Sequence, residues 1–347
     1  MIRVGLATVA VLCVVTAALA TANGASPSDS SRPAEAAVFV HEEGPGRLAI
    51  ADLKTQALRF VVDNGVASYE PVWSPTGGRL SYRIEDQLRL HVDGVAEDRP
   101  FIQVPGFKTN EPYAYSPDEK WVAAPVSDEV ALVPLPPDPR APIPASVQRV
   151  PLAGCGQPGL LWSTDGKFLL ALCTPGGGQP AYIARIAPDT RKSAKQPAGE
   201  AGQLLGWRGD GGLLVAGGGG ISVLSAEGKL RLLYEVGDND SVLALLRGPG
   251  QALLVQGNED SGYPTVLRLV GPKPMSSHPW LRGFGRTAGF SFAPDGWWAV
   301  FVQLLGGDRE GGDVYVVAPG SEQAVKVLAA TPERSYSSPV VRPPARR

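Results

Sequence analysis

Several residues in this chain have types and spacings that could do chemistry. GCGQPG sets Gly154, Gly156 and Gly159 in a G-x-G-x-x-G pattern, and GFGRTA (Gly283, Gly285, Ala288) nearly repeats it. Such glycines hold a dinucleotide only between a strand and a helix, because the helix N-terminus receives the pyrophosphate. A strand-like apolar run follows both copies, so both read as loops and no nucleotide is expected. GFSFA around Ser291 imitates a nucleophile elbow, but that turn needs G-x-S-x-G leading into a helix, and the chain contains no such motif. His41, His91 and His278, the three histidines, fall in different strands of different repeats. The sequence therefore assembles neither a metal site nor a general base with an orienting partner. The acidic stretches GDNDS (Asp238, Asp240) and GNEDSG (Glu259, Asp260) lack the spaced ligands of a calcium loop and read as solvated turns. No catalytic residue, metal or cofactor is expected.

The elements that would position these residues repeat. YEPVWSPTGGRLSYR, from Tyr69, has a bulky anchor before a Ser-Pro-x-Gly turn and an alternating run after it. Serine bonds the backbone ahead, proline presets φ, and glycine closes into the next strand, which makes a β-hairpin. Copies follow at EPYAYSPDEKWVAA, GLLWSTDGKFLLA, QLLGWRGDGGLLVA, LALLRGPGQALLV and GFSFAPDGWWAVF, with anchors Trp73, Tyr115, Trp162, Trp207, Leu246 and Phe292. A hairpin every forty-odd residues is the signature of four-stranded propeller blades. Third strands are expected at Leu88–Val92, Val130–Leu135, Ala181–Ile186, Ile221–Leu224, Thr265–Val270 and Val314–Val317. Fourth strands follow, as at Phe101–Val104, Leu230–Glu235 and Ala324–Leu328.

The two ends complement each other. AVFVHEEGPGRLAIADLKTQALRFVVD reads as three strands without a first, and RSYSSPVVRPP as a first strand without the rest. The expected fold is all-β: a seven-bladed β-propeller of four-stranded blades, closed by the C-terminal strand joining the N-terminal three. This closure removes an open sheet edge. Six blades, with the ends packed outside, is the alternative.

PVWSPTGGRLSY, AYSPDEKWVAA and SFAPDGWWAVF resemble the W-S-P-D-G repeats of TolB-like, WD40-like propellers, and related repeats occur in prolyl-oligopeptidase-type peptidases. The resemblance covers nearly all of the chain after its leader and implies the fold. The expectation is a propeller only, without the α/β domain that precedes it in TolB.

The Trp anchors are expected to pack between blades, and Asp118, Asp165, Asp210 and Asp295 to bond amides in their own turns. A hairpin turning near Thr164-Asp165 brings Cys155 opposite, or nearly opposite, Cys173, which predicts a disulfide in an oxidising compartment.

The expected organisation is a signal peptide over 1–22, a disordered leader over 23–35, the propeller over 36–342 and a basic tail over 343–347. Arg3, the apolar run Val4–Ala18 and the small residues Ala18, Ala20 and Ala22 carry the first assignment. The basic end RPPARR reads as solvated. A net charge of −2 offers no field for nucleic acid, and 42 Gly with 33 Pro disfavour long helices. The location expected is secreted or extracytoplasmic, with membrane attachment only if the N-terminal segment stays uncleaved.

In a propeller the connections from fourth to first strands, and from second to third, emerge on one face. Here they carry Tyr69, Phe107, Lys108, Tyr113, Tyr263, Phe284, Arg286, Asp308, Arg309 and Tyr336. Aromatic and Arg side chains suit a binding face. The expected function is a non-catalytic binding or scaffold propeller recognising a protein or surface polymer. A propeller-type carbohydrate lyase or hydrolase, and a membrane-anchored accessory subunit of an envelope complex, are the alternatives.

Overall fold

The computed structural model describes residues 33–344 except 43–45, 63–67, 85–86, 96–97, 108–111, 145, 157, 177, 208–210, 218, 236–240, 247–251, 257–263, 269–275, 280–286, 294–297, 306–310 and 319–322. At 68–70, 288 and the strands within 241–279 the description is of the backbone. The expected signal peptide and most of the leader lie outside the described residues.

The chain is a β-propeller. Its strands form five four-stranded antiparallel sheets and one of eight, which passes between two four-strand sets at the single bridge Gly312↔Tyr336. Among the described residues the strands thus group in fours, here called units I to VII. Their first strands are Ser68–Trp73, Ala114–Tyr115, Gly159–Trp162, Ala201–Trp207, Ser241–Leu246, Thr287–Phe292 and Ser335–Val341. First strands of adjacent units touch at VII–I, II–III, III–IV, IV–V and VI–VII, so they form the inner ring.

The hairpin that repeats in sequence repeats in hydrogen bonds. Ser74, Ser116 and Ser163 are buried, and each Oγ accepts the amide five residues on, from Arg79, Trp121 and Phe168. Asp118 and Asp165 accept from Ser116 and Ser163 and from the amides of Lys120 and Lys167. Asp210 and Asp295 lie outside the described residues. The Lys167 amide, then its side chain, hold the Asp165 carboxyl down at about 2. A carboxyl depressed on folding stabilises above its unfolded pKa, about 3.9, and loses that contribution as pH falls toward 2. Asp165→Asn should therefore be less stable than wild type near pH 5, with the difference gone near pH 2; equal denaturation midpoints throughout would refute this.

The tryptophan anchors stitch the inner ring. Trp73 and Trp162 are each 2% exposed. Nε1 of Trp73 donates to Val340 O (3.1 Å), of Trp162 to Ala114 O (3.1 Å) and of Trp207 to Trp162 O (2.9 Å). Each tryptophan thus bonds the first strand of the preceding unit.

Unit VII closes as its sequence pattern predicts. Ser335–Val341 pairs antiparallel with Glu35–His41, which is followed by Arg47–Asp52 and Leu58–Val62. Ser291, the candidate nucleophile, lies within the first strand of unit VI, and its Oγ accepts the Val341 amide at 3.0 Å.

Two expectations are corrected. Phe101–Val104 is not a strand; the fourth strand of unit I is Arg99–Pro100, followed by one further bond, Phe101 N to Leu88 O. The apolar run turns inward because Phe101, Ile102 and Val104 fill the core against Tyr113 and Tyr115. RPPARR is not solvated at its start. Arg342 pairs with Glu35 (2.6 Å) and Asp93 (2.7 Å), donates to Gly77 O (3.0 Å) and lies 4.7 Å over the Trp73 ring.

Cys155 and Cys173 form the disulfide, by a route other than direct facing. Gly159 pairs with Leu172, so extending the ladder would set Pro158 opposite Cys173. Cys155 lies three residues earlier, in a turn where its amide donates to Leu152 O (3.1 Å) and Gly154 has φ 73°. The crosslink spans 18 residues, and replacing both cysteines by serine should cost about 3 kcal/mol. An unchanged unfolding midpoint would refute that.

Candidate functional site

Strand alternation sorts the connections onto two faces. On the face opposite the expected site lie the turns from first to second and from third to fourth strands. Here the structure assembles a charged cluster that sequence spacing did not reveal. His91 Nδ1 lies 2.7 Å from Asp98 Oδ1, while its Nε2 lies 3.3 Å from Arg59 Nη1 and 3.5 Å from Asp93 Oδ1. Arg59 and Arg342 both bond Asp93, at 2.8 and 2.7 Å. Burial would raise the Asp93 carboxyl, but Arg342 and Arg59 outweigh it and hold it below the usual range. Tyr82 donates to Asp98, and burial followed by that carboxylate pushes its hydroxyl well above the ordinary value. Both nitrogens of His91 face protein groups, so the cluster fastens unit VII to unit I rather than presenting a base to solvent.

Beside it, Arg79 is 1% exposed and bonds Glu119 (2.9 Å) and Pro136 O, while Glu119 accepts Thr76 N (2.6 Å). Arg99 donates to Pro139 O (3.0 Å) and Arg140 O (3.1 Å), so the proline-rich third-to-fourth connection of unit II is laid across unit I. The other histidines lie elsewhere. His41 in unit VII meets Ser337 Oγ at 2.7 Å, and His278 is a backbone position in the last strand of unit V.

On the loop face, Phe107 follows the turn at Gly106, where its amide donates to Val104 O (3.0 Å). It is half-buried against the apolar cluster holding Val72, Leu88 and Val104. Tyr113 and Tyr336 are each 5% exposed and point into the protein. Tyr113 sits edge-on to Phe101 (5.9 Å) and Tyr115 (6.2 Å), with its hydroxyl 2.6 Å from Ser81 Oγ. Tyr69 lies on the first strand of unit I and pairs with Arg83. Lys108, Tyr263, Phe284, Arg286, Asp308 and Arg309 lie outside the described residues, as do both acidic loops and most of GFGRTA. Gly154 and Gly159 flank a strand-to-strand connection.

Arg83 is the loop-face residue that the sequence reading passed over. It sits one residue from the end of Leu80–Ile84, half-buried, on the same side of its strand as Ser81. The only signal for it was a cation in an otherwise apolar and small strand.

No protein-family model matches the chain, and no curated protein matches it in sequence. Solved structures do. A puromycin-hydrolyzing peptidase of Mycobacterium tuberculosis aligns with TM-score 0.58 and 18% identity, over 89% of this chain and 56% of the peptidase. The chain therefore spans little more than half of that protein's length. The dihydro-heme d1 dehydrogenase NirN aligns with TM-score 0.56 and 15% identity, over 94% of this chain and 79% of its own. TolB from Acinetobacter baumannii aligns with TM-score 0.49 and 16% identity, over 92% and 68%. At these identities the likeness extends to the propeller fold alone.

Proposed function

We propose that this chain is an exported, non-catalytic binding propeller that recognises a protein through its loop face. One contrast supports the reading. Among the described residues, the side chains most able to do chemistry have structural employment. Cys155 is bonded to Cys173, His91 lies between Asp98 and Asp93, and Ser291 accepts the Val341 amide. On the loop face, by contrast, Phe107 stands partly exposed on a packed base, and Nε of Arg83 is buried without a hydrogen-bond partner. An anchored, accessible aromatic and an arginine on the same face match the composition of interface centres. The disulfide supports export, because such bonds persist in oxidising compartments.

The chain also leaves the propeller on the other face. Glu35 and Arg342 bond each other beside the Gly77 turn, so a tether on the N-terminal segment would leave the loop face directed outward.

The test is in-cell crosslinking and affinity purification of a C-terminally tagged chain from envelope and medium fractions, with the recovered N-terminus sequenced. A stoichiometric protein, reduced at least about tenfold when Phe107, Lys108, Phe284 and Arg286 are changed together, is the expected result. Recovery of the chain alone, or a partner indifferent to those changes, would overturn the reading.

A further inference from the structure

Arg83 differs from the other arginines that the fold draws inward. Arg47, Arg79, Arg89, Arg99, Arg334 and Arg342, all buried or half-buried, each donate to a carboxylate or a carbonyl. Nε of Arg79, Arg89 and Arg99 lacks a partner, but their Nη groups are engaged. For Arg83, Nε is likewise buried without an acceptor, and no hydrogen bond or ion pair from its Nη groups to a described residue accompanies it. A buried donor left unpaired is costly, and each one in a native structure calls for an explanation.

The location fits a ligand. Ser81 and Arg83 lie two apart on one strand and share a side. Ser81 Oγ meets the hydroxyls of Tyr113 (2.6 Å) and Tyr115 (3.2 Å), so that side faces unit II. Arg83 pairs across the ladder with Leu88, which lies in the cluster that supports Phe107. The first strand of unit II is only Ala114–Tyr115, so little paired strand stands at this end of the seam between units I and II.

We infer that Arg83 anchors a carboxylate-binding site at this seam, accepting an Asp, Glu or C-terminal carboxylate of the protein partner. The inference rests on the loop-face reading above. A single guanidinium matches the planar two-oxygen fork of a carboxylate. Phe107, packed on the cluster that holds Leu88, the ladder partner of Arg83, offers an aromatic shelf that suits a peptide more than a hydrated sugar.

The test is nitrogen NMR of the arginine Nε–H groups in the full chain. The Arg83 resonance is identified by its loss in Arg83→Gln, or in Arg83→Lys should glutamine unfold the protein. N-acetylglutamate N-methylamide, which carries a single carboxylate, should shift this resonance saturably, with apparent affinity at least about tenfold above that of N-acetylglutamine N-methylamide, which carries none. Equal response to both, or to neither, overturns the site. Response to methyl glucuronide and not to N-acetylglutamate N-methylamide overturns the protein partner. Because the titration needs no partner, its failure leaves the crosslinking result standing, and loss of the partner leaves the titration standing.

Discussion

Truncation before Ser335 is expected to leave no soluble folded monomer. The removed strand supplies the whole ladder from Ala36↔Val341 to His41↔Ser335. It also carries buried Tyr336 and Val341, the Val340 carbonyl that accepts from Trp73, and the amide held by Ser291. Its loss would expose one edge of Glu35–His41 and open a ring whose total stability is only about 5–15 kcal/mol. Size-exclusion chromatography and circular dichroism check this; a truncated chain eluting as a folded monomer with an unaltered melting curve would sink the closure argument. Arg342→Ala isolates the clamp from the ladder. It removes partners from Glu35 and Asp93, a bond to Gly77 O and the contact with Trp73, and should cost about 2–3 kcal/mol. Arg342→Lys should recover only some of this, because the compact ammonium cannot serve a carbonyl, two carboxylates and a ring at once.

The second large effect is at Trp162. Trp162→Ala should cost about 4 kcal/mol, because it empties a fully packed site and leaves Ala114 O without its donor. Trp162→Phe keeps most of the apolar contact and should cost about 1–2 kcal/mol. Equal losses for the two variants would mean that the hydrogen bond to the neighbouring unit dominates; equal losses near zero would mean that the inner ring does not depend on the anchors. Chemical denaturation measured at constant slope separates these outcomes.

The hairpins were legible because everything that makes them is local: anchor, buried serine, turn aspartate and alternating strand lie within about ten residues. Closure was legible because each end of the chain lacked what the other had. The seam chemistry was not. Arg79 meets Glu119, Arg342 meets Asp93 and Glu35, and His91 meets Arg59 through the curvature of the ring, and nothing in their separations marks them as partners. Tyr113 and Tyr336 illustrate the same limit. A tyrosine in a connection reads as presented to solvent, yet both sit at the mouth of a first strand, where the ring turns them inward. Phe107, six residues before Tyr113, does stay partly exposed, so which aromatic of a connection turns inward was not readable from residue type and position.

The ladder that closes unit VII also sets how the molecule would answer a pulling force. Its two strands are antiparallel, and the ends from which the chain departs, Glu35 and Arg342, sit together at one end of the ladder. Tension applied through those ends acts across the ladder rather than along it. The bonds would then break in succession, pair after pair from the Arg342 clamp, instead of resisting together in shear. A ring tightly shut in free solution is therefore a zip under load, and its mechanical weak point is the residue that fastens it.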